Sequence, residues 1–330
     1  MNVLWLQSAG CGGCTMSLLC AENPGVFDLL ADAGIELLWH PALSEASGDV
    51  VRTLLTQIET GEIALDVLCV EGSILTGPRG TGMFQKLSGT GRSMLDWVQS
   101  LCPLAHDVVA VGTCAAFGGV TAAGGNPAGA VGLQYDGALL GGALPSGFRA
   151  GSGRPVINVA GCPTHPDWVT ETLLLLAAGA LSEDGLDSFA RPRFYTDHLV
   201  HHACPKNEFY EYKASALKLS DRGCMMEHLG CIGTQAVGDC NIRPWNGGGS
   251  CTRGGYPCIA CTSPEFEDPR LTFTETPKLA GIPVGLPSDM PKAWFMALAS
   301  LSKAATPDRI ARNATADRVL VAPKPKREAQ

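Results

Sequence analysis

Short runs of β-branched and large apolar residues alternate, through the first half of the chain, with longer stretches whose apolar positions recur every three to four residues. Val3–Gln7 (VLWLQ), Glu36–Trp39 (ELLW), Leu65–Val70 (LDVLCV), Val108–Val111 (VVAV) and Val156–Val159 (VINV) predict strands. Between them, four segments predict helices: Ser17–Ala33 broken near Pro24, Val50–Glu59, Met83–Leu101 with a glycine-rich dent at Gly89–Gly91, and Asp167–Ala180. This order predicts an α/β architecture built on a doubly wound parallel sheet. Gly118–Gly153 is rich in Gly, Ala and Pro and has little periodicity. It predicts a long excursion between two strands, of the kind that carries function or meets a partner. From about Arg191 the alternation stops, and Cys, Gly and Pro dominate as far as Pro269. A stretch so poor in regular elements needs another source of order, which bound metal supplies. After Lys278 the pattern predicts one helix, Lys292–Lys303, and a frayed end at VLVAPKPKREAQ.

Composition narrows the class. The chain has 330 residues, 45% hydrophobic and 17% charged, an ordinary globular balance. That length exceeds what one core normally serves, roughly 250–300 residues. The pattern divides it into a sheet domain (1–190), an irregular domain (191–270) and a C-terminal extension (271–330). A net charge of -8 without a basic face argues against nucleic acid. No window reaches the roughly 18 consecutive apolar residues of a membrane span; the longest, Leu173–Leu181, suits a buried helix. The opening MNVLWLQSAGC has no basic segment and no twin arginine, which predicts a soluble, cytoplasmic protein.

The 14 cysteines decide the chemistry. In a cytoplasmic chain such density points to metal rather than disulfides. Cys11 and Cys14 follow the first strand, Cys114 follows VVAVGT and Cys162 follows VINVAG. Each lies just past the carboxyl end of a parallel strand, the edge where open α/β sheets bind ligands. Glycines surround them (SAGCGGC, VGTCAAFGG, VAGCP), letting backbone approach an inorganic sulfide. Four thiolates are what a [4Fe–4S] cube requires. The second half adds Cys204, Cys224, Cys231, Cys240, Cys251, Cys258 and Cys261, with His201 and His202 just before the first of them. Two clusters fit that set better than one. Structural zinc in Cys₃His or Cys₄ sites is the alternative, which makes the chain a non-enzymatic interaction module. Cys20, Cys69 and Cys102 fall inside predicted helices and a strand and read as small core hydrophobes. Glu71 in VEGSIL ends the third strand at the same sheet edge; it lines an interface or proton route there, or is a satisfied loop carboxylate. His165 lies in the Cys162 loop, beside the first set. His40, His106 and His198 read as structural or surface residues, and Trp168 as a packing residue.

In their order, CGGC, GTCAAFGG, GCPTHPDW, HHAC, GC…GC and DC…PCIAC, these motifs resemble the small subunits of nickel–iron hydrogenases over about Asn2–Asp268. The resemblance implies a flavodoxin-like domain followed by an irregular iron–sulfur domain, and three clusters forming an electron wire. It matches Cys11, Cys14, Cys114 and Cys162 to a proximal cluster. It matches Cys240, Cys258 and Cys261 to a medial one, and His201, Cys204, Cys224 and Cys231 to a distal one, His201 rather than His202 by its offset from Cys204. The nickel–iron centre then belongs to a large subunit. Departures carry information. Cys251 stands where the family commonly has proline, which predicts a medial [4Fe–4S] rather than [3Fe–4S] cluster, all three being [4Fe–4S]. Gly13 and Gly119 stand where oxygen-tolerant relatives carry extra cysteines, and Met16 where an acidic residue is usual. Cys224 and Cys231 are one residue further apart than in the family, with His228 between them. Together these features resemble the cytoplasmic hydrogen-sensing branch, which signals to a histidine kinase; the extension beyond Lys278 then suits docking of that kinase or of a second heterodimer. The alternative is a cytoplasmic uptake hydrogenase feeding metabolism. A complex-I-like cluster subunit would not need the second set of seven cysteines.

Overall fold

The computed structural model describes residues 1–266, 273–279 and 289–317, and the backbone of 282–283. Five strands, β1 (Asn2–Gln7), β2 (Glu36–Trp39), β3 (Val67–Glu71), β4 (Asp107–Val111) and β5 (Ile157–Val159), form a parallel sheet in the order β2-β1-β3-β4-β5. This is the flavodoxin-like doubly wound order, whose switch point lies between the first and third strands. The core strands read as unbroken apolar runs because both faces are covered. Leu4, Leu6, Leu68, Val70, Val108 and Ala110 face one buried layer; Val3, Trp5, Val67, Cys69, Val109 and Val111 face the other.

The helices α1 (Gly13–Leu18), α2 (Val26–Asp32), α3 (Asp49–Glu59), α4 (Met94–Leu101), α5 (Gly112–Phe117) and α6 (Pro166–Ala177) accompany the sheet. Leu55 and Ile58 of α3 and Val98 and Leu101 of α4 pack on the first face, and Val26, Leu29, Val169 and Leu173 of α2 and α6 on the second. The helix expected over Met83–Leu101 is shorter than its apolar pattern. Gly89 and Gly91 turn left-handed, at φ 75° and 72°, and the helix starts only at Ser93. The Ser93 hydroxyl accepts from Asp96 N, and the Asp96 carboxylate accepts from Ser93 N. Such a capping box is worth about 1 kcal/mol and fixes where a helix begins.

Gly118–Gly153 is an excursion, but a packed one. Its Ala130–Val131 pairs antiparallel with Ile74–Leu75, and Leu133 is fully buried. The buried Gln134 amide orders the rest: it donates to Ser146 O (3.1 Å) and Phe148 O (3.0 Å) and accepts from Val156 N (3.0 Å). At the far edge of the sheet, Arg154 grips the buried Asp107 carboxylate at 2.8 and 2.6 Å. Burial pushes that carboxyl up, yet hydrogen bonds from Arg154, Ser152 and His106 outweigh it and hold it below the usual range.

After α6 the helices are single turns or little more: α7 (Arg193–Thr196), α8 (Asn207–Glu211), α9 (Met226–Leu229) and α10 (Cys251–Gly254). The apolar clusters here are small, so polar ties fasten this half to the sheet. Trp168 of α6 stacks on Tyr195 at 4.1 Å and donates to Asp239 (2.6 Å); Arg191 donates to Thr262 O (2.9 Å). The expected C-terminal helix is present as α11 (Lys292–Ala304), and α12 (Asp308–Ala314) follows it unforeseen. The end expected to fray lies outside the described residues.

Candidate metal centres

The first four cysteines meet at the carboxyl edge of the sheet. Cys11 and Cys14 come from the loop after β1 and the start of α1, Cys114 from α5, and Cys162 from the loop after β5. Gly112 lets two of these segments touch. It is left-handed, and a Cβ there would stand 2.4 Å from the Cys14 sulfur. Thr113 clasps the Cys162 loop, donating its N–H to Gly161 O (3.0 Å) and accepting from Gly161 N (2.8 Å) at its hydroxyl. Burial above all pushes the Cys14 thiol up, with Glu71, Cys114 and Cys162 adding to the shift. Cys162 is pushed up to about 12 by burial and then by Cys114, Cys261 and Cys11. These thiols therefore feel one another's charge, and a bound cation inverts that balance and deprotonates them.

Glu71 holds the loop in place. Its buried carboxylate, at the end of β3, accepts from Cys14 N (3.0 Å) and Thr15 N (3.1 Å). It also accepts from Gln7 (3.0 Å), Trp5 (3.3 Å) and the Thr15 hydroxyl. Of its two readings, this is the satisfied carboxylate, at the switch point of the sheet. The Thr15 hydroxyl also meets His40, which is buried.

Cys240, Cys251, Cys258 and Cys261 line one cavity of about 360 Å³, together with Cys162, Trp168 and Trp245. Asn241 shapes it from behind. Its amide donates to Val200 O (2.7 Å), and its carbonyl accepts from Ser250 (2.6 Å) and Thr252 (3.0 Å), tying the Cys240 loop to α10, which begins with Cys251. The Thr113 hydroxyl donates to Cys261 O (2.5 Å), so the clasp at the first set also touches this one.

His201, Cys204, Cys224 and Cys231 line another cavity. His202 turns away, with its ring accepting from Leu199 N (3.2 Å) and facing Asp289 (3.4 Å). The His201 ring packs at 4.4 Å against Tyr210, and burial lowers its pKa, favouring the neutral imidazole that can ligate. Burial first, then Cys231, pushes Cys224 up to about 12. The ammonium of Lys206 donates to the carbonyls of Asp221, Arg222 and Gly223 (3.2, 2.8 and 3.0 Å), bracing the turn that presents Cys224. The Cys231 sulfur accepts from Cys258 N at 3.2 Å, joining this set to the previous one.

Among the described residues no three His, Cys, Asp or Glu side chains converge to hold a single metal ion. The second and third sets instead line cavities, an arrangement that suits a multi-iron cluster better than a tetrahedral zinc. The remaining cysteines stand apart. Cys69 and Cys102 are fully buried core residues, Cys102 in a 3₁₀ turn after α4 rather than in a helix. Cys20 departs from expectation: it lies beyond the end of α1, exposed. Helix α1 stops at Leu18, so its thiol packs in no core. His165 is buried between Trp168 and Trp245 and accepts from Asp167 N (3.2 Å) as the cap of α6. Sequence reasoning missed Lys206, Asn241 and Thr113. Their only signal was position, each within two residues of a cysteine or of its loop.

Residues 11–176 match the family "NADH ubiquinone oxidoreductase, 20 Kd subunit", and residues 196–274 match the C-terminal family of the "NiFe/NiFeSe hydrogenase small subunit". The chain is 32% identical, over 81% of its length and 73% of the relative's, to the F420 non-reducing hydrogenase I small subunit of Methanosarcina mazei. It is 31% identical to the periplasmic [NiFeSe] hydrogenase small subunit of Desulfomicrobium baculatum, over 82% and 86%. Among solved structures it resembles the actinobacterial-type NiFe-hydrogenase of Ralstonia eutropha H16, with a TM-score of 0.75 and 30% identity over 92% of this chain and 90% of that one.

Proposed function

Because this chain belongs to the nickel–iron hydrogenase small subunits, we propose that its three sets of cysteines, with His201, hold three iron–sulfur clusters, and that the heterodimer senses hydrogen. Members of the family carry electrons for a large subunit, which holds the catalytic centre. The observation that carries the cluster reading is the continuity of the three cysteine sets. Cys162 borders the cavity of the second set, and Cys231 bonds the backbone of Cys258 in it. In this reading Cys11, Cys14, Cys114 and Cys162 hold the proximal cluster in the sheet domain (1–190). Cys240, Cys251, Cys258 and Cys261 hold the medial one, and His201, Cys204, Cys224 and Cys231 the distal one, in the irregular domain (191–270). Such clusters supply one-electron storage at potentials set by charge, hydrogen bonds to sulfur and burial.

The chain's own residues prepare these sites. Glu71 fixes the amides around Cys14, Thr113 spans the first and second sets, and His201 supplies a neutral donor where the others are anionic. Cys11, Met16 and Val120 are exposed around the sheet edge, Met16 by 67% and Val120 by 55%; in this reading they lie beneath the large subunit.

A purified complex with about twelve irons, matching acid-labile sulfide and no stoichiometric zinc is the expected result; zinc without iron would overturn the cluster reading. Cys251 makes the medial cluster [4Fe–4S] in this reading. Oxidised Cys251→Pro complex should therefore gain a [3Fe–4S] paramagnetic signal that the wild type lacks. An unchanged spectrum would refute the fourth ligand.

The sensing reading places the complex in the cytoplasm. It draws on Gly13 and Gly119, which stand where oxygen-tolerant membrane-bound relatives carry extra cysteines, and on Met16, which stands where relatives usually place an acid. It also gives the extension (271–330) a role. Trp294, Leu298 and Leu301 recur at i, i+4 and i+7 on α11 and are exposed, a stripe suited to a kinase or a second heterodimer. Slow hydrogen turnover with a bound histidine kinase is expected. Fast turnover with a dedicated acceptor would support the uptake alternative instead.

A further inference from the structure

Between α11 and the outermost cysteine set lies a second cleft, of about 280 Å³. It shares Tyr210, Cys224 and Met226 with the cavity of His201, so the wall between the two is one side chain thick. Tyr210, Phe295 and Met296 give it apolar walls, and Lys213, Lys278 and Lys303 give it positive charge beside the single carboxylate of Glu227.

The charges are not balanced. Lys278 is bonded to Glu227 at 2.7 Å, and that carboxylate also accepts the Ser215 hydroxyl at 2.8 Å, so this pair is closed. Lys213 has rings where a carboxylate would usually be. Its ammonium stands 3.8 Å from the Tyr210 ring centre and 4.7 Å from that of Phe295. Aromatic faces hold a cation but do not neutralise it. Among the described residues neither Lys213 nor Lys303 closes an ion pair with a carboxylate. The Tyr210 hydroxyl is buried and without a partner. Two ammonium groups without a carboxylate at bonding distance, on an aromatic-walled cleft, recognise one class of small molecule, a ring that carries an acid group.

We propose that this cleft binds a small planar anion, an aromatic carboxylate, sulfonate or phosphate, with its ring on Phe295 and Met296 and its acid group between Lys213 and Lys303. The site stands on lining side chains alone and does not depend on the cluster assignment. It puts a bound ligand against the Tyr210–Cys224 wall, beside the distal set.

The probe is anthraquinone-2-sulfonate, titrated calorimetrically into the purified heterodimer. One molecule should bind per small subunit, more weakly as salt rises. Phenosafranine, a planar cation of similar size, should not bind. Removing both ammonium groups (Lys213→Met with Lys303→Met) should weaken binding at least about tenfold, the effect of losing a charge-assisted hydrogen bond. Lys213→Arg should retain most of it. Ala299→Trp fills the cleft without touching a charge and should abolish binding, with iron content confirming that each variant is folded and loaded. Absence of binding in the wild type, equal binding of the cation, or binding indifferent to both the double substitution and the tryptophan overturns the proposal. Hydrogen-driven viologen reduction by the same wild-type preparation separates the two readings: with it intact, absent binding condemns the cleft alone.

Discussion

Cys14→Ala, introduced into the purified heterodimer, is expected to remove about four irons and to cut hydrogen-driven dye reduction by at least about 100-fold. The reasoning starts from placement. Cys14 stands with Cys114 and Cys162 at the carboxyl edge of the sheet, behind a glycine whose missing side chain leaves room for its sulfur. Outer-sphere partners alone typically cost a metal site 10–100-fold, and losing a ligand exceeds that. Cys20→Ala is the matched control. That thiol is exposed, bonds weakly to Met16 O at 3.6 Å and lines neither cysteine cavity, so iron and rate should both stay at the wild-type value. Full iron and full rate in Cys14→Ala would dissolve the first set.

Glu71→Ala should be nearly as damaging, through folding rather than ligation. The carboxylate receives the N–H groups of Cys14 and Thr15, the Thr15 hydroxyl, and the side chains of Gln7 and Trp5. Several of these donors are buried, and each orphaned donor costs about 1–3 kcal/mol. A loss on the order of 4 kcal/mol is expected, a large part of a marginal stability. Thermal unfolding and iron content should fall together. Glu71→Gln keeps the shape but sets an NH₂ against other donors, so an intermediate loss is expected. A variant lacking the side chain that melts with the wild type and holds all its iron would show that the loop needs no such anchor.

The sheet was legible because its strands are covered on both faces, and strands of that kind leave apolar runs whose shortness and β-branched content set them apart from helices. The start of α4 was not. Met83 and Phe84 extend the apolar pattern upstream, yet both are exposed, and a reciprocal bond between Ser93 and Asp96 sets the boundary. The excursion hid its order for a related reason: one buried amide, that of Gln134, does what periodicity does elsewhere. The first cysteine set was legible in outline because position after a strand predicts convergence. The supports were not, since Lys206 and Asn241 act by bonding backbone carbonyls and loop hydroxyls, and such work leaves no spacing to read. Helix α12 carried a start signal in Pro307 and Asp308 that went unused.

Among the described residues the half of the chain after α6 has no apolar interior large enough to order it, and it leans on the sheet through Trp168–Asp239, Arg191–Thr262 and Thr113–Cys261. Its maturation therefore has a direction. The parallel sheet can close on its own hydrophobic layers and offer a finished wall; the trailing segments then need both that wall and their inorganic cargo before they settle. In the proposed cluster reading, loading of the innermost site meets a rigid platform, whereas the outer sites are shaped by what is put into them.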